Sequence, residues 1–193
     1  MKPVKKPHQI RIIGGEHRRT MIDVLTHDGL RPSSSRVRET VFNWMMHQWG
    51  GVFEDKRVLD AFAGSGAFGL ECVSRGVREV VLLDTHAPAI AQIQKTLHKW
   101  QAGKGIVARQ QDVLTLKTGT FDWIILDPPF GQDWLSRILP AIAPLCHADT
   151  WLYVETEINA DVSILSGNGW ICVRNGKTAQ VQYGLWQRAA NNL

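Results

Sequence analysis

Arg57-Val58-Leu59-Asp60-Ala61-Phe62-Ala63-Gly64-Ser65-Gly66-Ala67-Phe68-Gly69 (residues 57–69) is the stretch that decides the fold. Its first four residues are a short run typical of a strand, and a glycine-rich loop follows them directly. The spacing Gly64-x-Gly66-x-x-Gly69 then leads into a helical stretch, 67–75, that stops at Gly76. A strand, a glycine-rich loop and a helix in this order begin a βαβ unit that binds a ligand in its first turn.

Strand-like and helix-like stretches alternate beyond this loop. Strands are expected at 57–60, 79–84, 106–109, 121–126 and 151–156, and helices at 37–49, 67–75, 87–100 and 134–145, with Ser33 to Ser35 as candidate caps of the first helix. Two late runs, 169–174 and 180–187, predict an antiparallel hairpin that turns at Asn175-Gly176-Lys177. The predicted fold class is α/β: a Rossmann-like, mostly parallel seven-stranded sheet with a C-terminal antiparallel hairpin and a basic N-terminal extension.

The bulk composition excludes several classes of protein. At 193 residues the chain is long enough to bury its own core. The three cysteines form no CxxC pair, so neither a zinc site nor a disulfide framework is indicated, and we expect no metal. Apolar runs of signal-peptide or membrane length are missing, which predicts a cytoplasmic protein that does not contact a membrane.

The positive charge is concentrated at the N-terminus. Residues 1–39 hold nine Lys or Arg and four Asp or Glu, whereas the remaining residues are close to neutral within a total net charge of +4. We therefore divide the chain into a basic arm or small hairpin, 1–36, and a sheet domain, 37–193. A basic arm indicates a polyanionic partner, although a solvated tail would have the same composition. The candidate RNA-binding residues are Arg11, Arg18, Arg19, Arg31, Arg36 and Arg38.

The glycine-rich loop fits two cofactors. With Asp84 about twenty residues on, it satisfies the pattern of a dinucleotide site and so predicts NAD. However, Asp60 at the strand end would repel a pyrophosphate, and it would attract the sulfonium and ammonium groups of S-adenosylmethionine (SAM). Glycines let the backbone approach the methionine portion closely. We therefore favour SAM, with Asp84 accepting hydrogen bonds from the ribose hydroxyls; capping of the next helix is the alternative role for Asp84.

A second motif, Asp127-Pro128-Pro129-Phe130, follows the strand predicted at 121–126. Consecutive prolines continue neither a strand ladder nor a helix, so they fix a stiff turn. The exocyclic amine of a nucleic-acid base is a poor nucleophile because its lone pair is delocalised into the ring. A carboxylate and a backbone carbonyl that accept its N–H groups would free that lone pair, while Phe130 would stack on the extruded base. Asp127, Pro128 and Phe130 are therefore the candidate catalytic residues.

The chain resembles the RsmD family. The resemblance is carried by the Asp60–Glu71 loop (DAFAGSGAFGLE), the DPPF turn, Arg11-Ile12-Ile13-Gly14-Gly15 and the segment from Arg31 to Glu39 (RPSSSRVRE). It implies a class I SAM methyltransferase that methylates N2 of one guanine in 16S ribosomal RNA, on an assembling or assembled small subunit, and that releases S-adenosylhomocysteine. We expect a monomer.

The resemblance also assigns residues to the cofactor. The loop of Asp60, Ala61, Phe62, Ala63, Gly64, Ser65 and Gly66 would hold the methionine part of SAM, Asp84 with Thr85 the ribose, and Asp112 with Val113 the adenine. Asp127 would orient the guanine amine. For Asp112, a helix cap or a surface position remains an equal alternative.

Other interpretations of the sequence stay open at this point. A DNA amino-methyltransferase would use the same DPPF chemistry, but it normally needs extra protein to read sequence. A glutamine-directed protein methyltransferase usually begins this turn with Asn rather than Asp127. An NAD-linked oxidoreductase leaves the DPPF turn unexplained, and a binding module with a vestigial pocket leaves the three acids Asp60, Asp84 and Asp127 unexplained.

Overall fold

The computed structural model describes residues 8–24, 34–131 and 133–189. Two short strands come first and are followed by alternating helices and strands. The strands are β1 (His8–Arg11), β2 (Met21–Val24), β3 (Arg57–Asp60), β4 (Glu79–Asp84), β5 (Ile106–Gln110), β6 (Phe121–Leu126), β7 (Cys146–Glu157), β8 (Trp170–Lys177) and β9 (Val181–Arg188). The helices are α1 (Ser35–Gln48), α2 (Ala67–Ser74), α3 (Ala87–Lys99), α4 (Trp134–Ile142) and α5 (Ser163–Gly167), with 3-10 turns at Val113–Thr115 and Ala143–Leu145.

Seven strands form one sheet in the order β5-β4-β3-β6-β7-β9-β8. The strands β3 to β7 run parallel to one another, and β9 runs antiparallel to both β7 and β8. The prediction of a mostly parallel seven-stranded sheet with a C-terminal antiparallel hairpin is thus confirmed. The later of the two hairpin strands, β9, lies inside the sheet, and β8 forms its edge.

Both faces of the sheet are covered by helices, as expected of strands with continuous apolar runs. On β6, Trp123 and Ile125 join a cluster with α1, α2 and α3, whereas Ile124 and Leu126 join a second cluster with α4. All four side chains are buried. This alternation places Asp127, the next residue along, on the side of Trp123 and Ile125.

The hairpin turn lies later in the chain than Asn175-Gly176 suggested. Strand β8 continues through Lys177, which pairs with Gln182, and the chain reverses at 178–180. Gly176 remains in the strand opposite Tyr183, where an added Cβ would lie only 2.5 Å from the tyrosine ring. The predicted turn at 175–177 is therefore wrong, because this glycine makes room for a neighbouring ring instead of reversing the chain.

Other element boundaries also differ from expectation. Strand β7 begins five residues earlier than predicted, and α4 gives way to a 3-10 turn after Ile142. The short helix α5 was not predicted. The predicted cap of α1 is confirmed, because the Ser34 hydroxyl accepts a hydrogen bond from the Val37 N–H at 3.2 Å.

The N-terminal segment folds back on the sheet domain. Strands β1 and β2 pair antiparallel, and their buried apolar side chains join the same core cluster as α1 and α2. The Glu71 carboxylate, fully buried on α2, accepts hydrogen bonds from the N–H groups of Ile13 and Gly14, both at 2.8 Å. Residues 8–24 thus form a packed hairpin, not a solvated tail. None of the helices among the described residues could span a lipid bilayer.

Candidate active site

The order of the strands reverses at β3, since β4 lies on one side of it and β6 on the other. In open α/β sheets ligands bind at the carboxyl ends of the strands beside such a reversal. Asp60 ends β3, Asp84 ends β4 and Asp127 follows β6. The fold therefore brings the three acids found in the sequence to one edge of the sheet.

The loop after β3 is tied to both neighbouring strands. The Ala61 N–H donates to the Ile125 carbonyl on β6 at 3.1 Å, and the Ala63 N–H donates to the Leu83 carbonyl on β4 at 2.8 Å. Both alanines are buried. The main chain of this loop is thus fixed across the reversal point.

Two of the glycines are required for different reasons. Gly66 adopts a left-handed conformation (φ 79°), and an added Cβ would lie 2.8 Å from Leu70. Gly69, on α2, is packed so closely against β4 that a Cβ would lie 2.3 Å from a methyl carbon of Leu82. The glycine spacing therefore serves both the turn and the contact of helix with strand.

Asp60 is a buried carboxylate, with 2% of its surface exposed. Its Oδ2 accepts a hydrogen bond from the Gly69 N–H at 2.9 Å. Burial raises the pKa of Asp60 to about 7, the Gly69 hydrogen bond opposes this rise, and the negative charge of Asp84 adds to it. A cation beside Asp60 would favour its ionised form.

Asp84 supports the loop and the start of α3 together. Its Oδ2 accepts from the Gly64 N–H at 2.7 Å, and its Oδ1 accepts from the His86 N–H at 2.8 Å, immediately before the helix. The N-cap residue of α3 is His86, which has no side-chain cap, so the alternative prediction that Asp84 caps this helix is wrong; Asp84 braces the turn before the helix instead. Each carboxylate oxygen can accept a second hydrogen bond, so these contacts leave the predicted ribose role open.

The remaining predicted cofactor residues lie at the ends of the neighbouring strands. Asp112 caps the 3-10 turn after β5 through a 2.9 Å hydrogen bond from the Leu114 N–H to its Oδ1, and Val113 is buried. The capping role of Asp112 is confirmed, and its contact with adenine stays a prediction. Thr85 is exposed, and Ser65 is half-buried.

Phe62 meets an aromatic residue that the sequence did not point to. Its ring packs edge-on against Trp134, with 5.3 Å between the ring centroids. Trp134 begins α4, four residues after Phe130, so this pair links the loop after β3 with the helix that follows the DPPF turn.

The DPPF turn is exposed at its tip. Asp127 is half-buried and Pro128 is buried, whereas Pro129 and Phe130 are exposed, with 39% of the Phe130 surface accessible. A ring presented in this way is available for stacking on a base.

Two residues next to this turn were missed in the sequence. The Tyr153 hydroxyl on β7 donates a 2.5 Å hydrogen bond to the Glu155 carboxylate, and both side chains are buried. Burial, and then the charges of Glu155 and Asp127, raise the pKa of Tyr153 well above its usual value. The signal that could have found them is the acid at the end of the apolar run of β7.

The predicted RNA-binding arginines separate into two groups. Arg11, Arg18, Arg19 and Arg36 are exposed, and Arg31 lies outside the described residues. Arg38 is 1% exposed; its guanidinium donates to the Arg11 carbonyl at 3.0 Å and lies 3.7 Å from Glu71. The prediction that Arg38 contacts RNA is therefore wrong, because a guanidinium enclosed by an ion pair and backbone carbonyls cannot reach a phosphate.

The part of the chain that the structure describes can also be compared with the requirements of a metal site. Across residues 8–24, 34–131 and 133–189, no group of three or more His, Cys, Asp or Glu side chains could hold a metal ion.

Comparison with known proteins gives a consistent picture. A family model described as conserved hypothetical protein 95 matches residues 10–187. The chain is 35% identical to ribosomal RNA small subunit methyltransferase D of Escherichia coli K12, over 97% of this chain and 96% of that protein. The protein of the same name from Haemophilus influenzae is 34% identical over 97% of this chain and 100% of its own length.

Solved structures share the fold. A putative methyltransferase from Escherichia coli superposes with a TM-score of 0.80 and 33% identity, over 95% of this chain and 100% of that one. Magnesium protoporphyrin IX methyltransferase from Synechocystis, solved with bound SAM, has a TM-score of 0.68 at 20% identity, over 80% of this chain and 79% of that one. The second likeness bears on the fold alone.

Proposed function

The chain belongs to the RsmD family, which the conserved hypothetical protein 95 model describes, and from this premise we propose that it methylates the exocyclic N2 amine of one guanine in 16S ribosomal RNA. It is a SAM-dependent rRNA methyltransferase. The observation that carries the proposal is the placement of Asp60 and Asp127 at the ends of the adjacent strands β3 and β6. The carboxylate of Asp60 suits a cationic methyl donor, and the carboxylate of Asp127 suits an amine that donates hydrogen bonds.

The residues around Asp60 fit the donor. SAM, when bound, supplies a methyl group activated by a positively charged sulfur. Asp60 is a buried carboxylate with a raised pKa, so a positive charge beside it relieves the cost of its ionisation. The glycines of the loop expose main chain rather than side chain to the donor, and Asp84 fixes the loop while keeping acceptor capacity for hydroxyl groups.

The residues around Asp127 fit the acceptor. Its carboxylate would accept a hydrogen bond from the guanine amine, which draws the nitrogen lone pair out of conjugation with the ring. Phe130 would stack on the extruded base, a contact worth about 1–3 kcal/mol. Because the two prolines restrict the turn, the amine is held in one orientation toward the methyl group, and positioning of this kind lowers the barrier to transfer.

The exposed arginines fit a large RNA substrate. Arg11, Arg18 and Arg19 lie on the packed hairpin, and Arg36 lies at the start of α1, so the four charges are carried by ordered elements. We propose that they contact phosphates of 16S rRNA, and that the substrate is the assembling or assembled small subunit in the cytoplasm. We further propose that the enzyme acts as a monomer.

Nucleoside mass spectrometry tests the reaction. 16S rRNA from cells that lack this gene should contain one N2-methylguanosine fewer than 16S rRNA from the parent strain, and the purified protein with isotopically labelled SAM should restore it. Small-subunit particles and naked 16S rRNA serve as alternative substrates in the same assay, and we expect the particle to be methylated faster. An unchanged nucleoside profile, or label appearing in DNA or protein instead, would contradict the proposal.

A further inference from the structure

The DPPF turn has few main-chain donors with which to hold itself in place. Pro128 and Pro129 carry no N–H group, so neither can donate a hydrogen bond. From Pro129 to Gly131 the turn is exposed. The prolines restrict the backbone within the turn, but they cannot attach the turn to the rest of the protein. The placement of Asp127 and Phe130 therefore needs a contact from outside the turn.

Strand β7 provides a platform beside the turn. The ladder between β6 and β7 ends at the pair Leu126 and Val154, and β7 continues for three more residues, 155–157. This overhang is paired on its other side with β9, where Glu157 lies opposite Val181. The Ile158 N–H also donates to the Gln180 carbonyl at 3.0 Å. The overhang is thus held by the sheet even where β6 has ended.

One side chain of this platform reaches the turn. The Glu157 Oε1 accepts a hydrogen bond from the Gly131 N–H at 2.5 Å, across 26 residues of sequence. Gly131 has a φ of 78°, a left-handed conformation that favours glycine, and nothing lies within 4 Å of the position of an added Cβ. Glu157 and Gly131 are both exposed, so water weakens this bond, although its charged acceptor makes it stronger than a bond between neutral groups at the same place. This hydrogen bond therefore ties Gly131, at the end of the turn, to β7.

We propose that Glu157 is a positioning residue, which clamps the turn 127–131 to β7 and so holds Asp127 and Phe130 in the geometry that methyl transfer requires. The proposal rests on the function proposed above, because it takes Asp127 and Phe130 as the groups that meet the base. Glu157 itself touches neither the donor nor the base; it acts through Gly131. Asp127 starts the turn at the end of β6 and Glu157 fixes its other end, so both ends are set by neighbouring strands.

Three variants separate this role from a general effect of charge. Glu157→Ala removes the acceptor, Glu157→Gln keeps a carbonyl oxygen that can accept from Gly131, and Asp149→Ala removes an exposed acid at the opposite end of the same strand. Misplacing a catalytic group by about 1 Å can cost on the order of 100-fold in rate. We therefore expect kcat to fall roughly 10- to 100-fold in Glu157→Ala and to stay within about threefold of wild type in Glu157→Gln. The KM for SAM should be unchanged in all three, and Asp149→Ala should match wild type.

Amide hydrogen exchange tests the clamp without reference to activity. The segment that contains Phe130 and Gly131 should exchange faster in Glu157→Ala than in wild type, while β6, β7 and β9 keep their protection. Unchanged exchange of the turn, an unchanged kcat in Glu157→Ala, or an equal loss of kcat in the Gln and Ala variants would each overturn the proposal. Failure of the wild-type protein to methylate 16S rRNA would instead overturn the proposed function. The exchange experiment would still show whether Glu157 holds the turn in place.

Discussion

Replacing Asp60 with asparagine is expected to remove a pH-dependent cost from the folded state and to weaken SAM binding at the same time. Burial holds the pKa of Asp60 at about 7, against an ordinary value of 3.8. At about 1.4 kcal/mol per pH unit, this difference corresponds to about 4 kcal/mol. The amide oxygen of asparagine can still accept the hydrogen bond from the Gly69 N–H, but its NH2 group cannot accept the one that the carboxylate receives from the Phe62 N–H. That loss does not vary with pH, so the pH dependence reports the ionisable group alone.

Proton balance sets the direction of this pH dependence. Below about pH 4, Asp60 is protonated in both the folded and the unfolded chain, and its ionisation costs nothing. Between pH 4 and pH 7 the unfolded chain releases this proton and the folded chain keeps it, so wild-type stability falls as pH rises. Above pH 7 both states are ionised and the loss levels off. The free energy of unfolding of Asp60→Asn relative to wild type should therefore increase by about 4 kcal/mol from pH 4 to pH 8.

Denaturant titrations of both proteins at pH 4, 6 and 8, without SAM, measure this difference. Calorimetric titration with SAM at pH 8 should show weaker binding by the variant, because its pocket carries no negative charge at this position. A relative stability that does not change with pH would refute the claim that Asp60 is held near neutrality by burial. Undiminished SAM affinity would refute its role toward the donor.

Three further changes test other parts of the structure. Gly69→Ala should destabilise the protein by about 1–3 kcal/mol, because its Cβ would lie 2.3 Å from Leu82; denaturation measures this, and a neutral effect would show that α2 is not tightly packed on β4. Glu71→Gln should lower the free energy of unfolding by about 3–5 kcal/mol, since it leaves a buried arginine without its counter-charge, and it should speed amide exchange in residues 10–14. A variant as stable as wild type, with a protected hairpin, would show that Glu71 does not hold the N-terminal hairpin on the sheet domain. Neutralising the four exposed arginines, Arg11, Arg18, Arg19 and Arg36, should weaken RNA binding. The slope of log affinity against log salt should fall by about one for each phosphate contact that is lost, and an unchanged slope would show that these arginines do not contact RNA.

The fold could be predicted from the sequence because its signals are local. Apolar runs indicated the parallel strands, and glycine spacing indicated the loop after β3. Asp60, Asp84 and Asp127 were identified as strand-end acids, which the rule for open α/β sheets brings together. Local signals failed where a residue's role depends on a distant neighbour: the Asn175-Gly176 pair has the composition of a turn, and only the ring of Tyr183 explains why the strand continues through it.

The burial and the partners of polar side chains could not be predicted from the sequence either. Arg38 lies on α1 among other charged residues, and its partner Glu71 is 33 residues away on α2, so nothing nearby in the sequence distinguishes it from the exposed Arg36. Tyr153 and Glu155 are adjacent on one face of β7, a spacing that any strand could show. Their link to the DPPF turn appears only when β6 and β7 are side by side.

The measurement that tests the central claim most directly is the rate of methyl transfer to small-subunit particles by Asp127→Ala at saturating SAM, with SAM binding measured on the same preparation. If one acid serves the donor and the other serves the amine, transfer should be abolished while SAM affinity largely survives. Wild-type turnover by this variant would show that Asp127 does not orient the amine, and the proposed mechanism would be wrong.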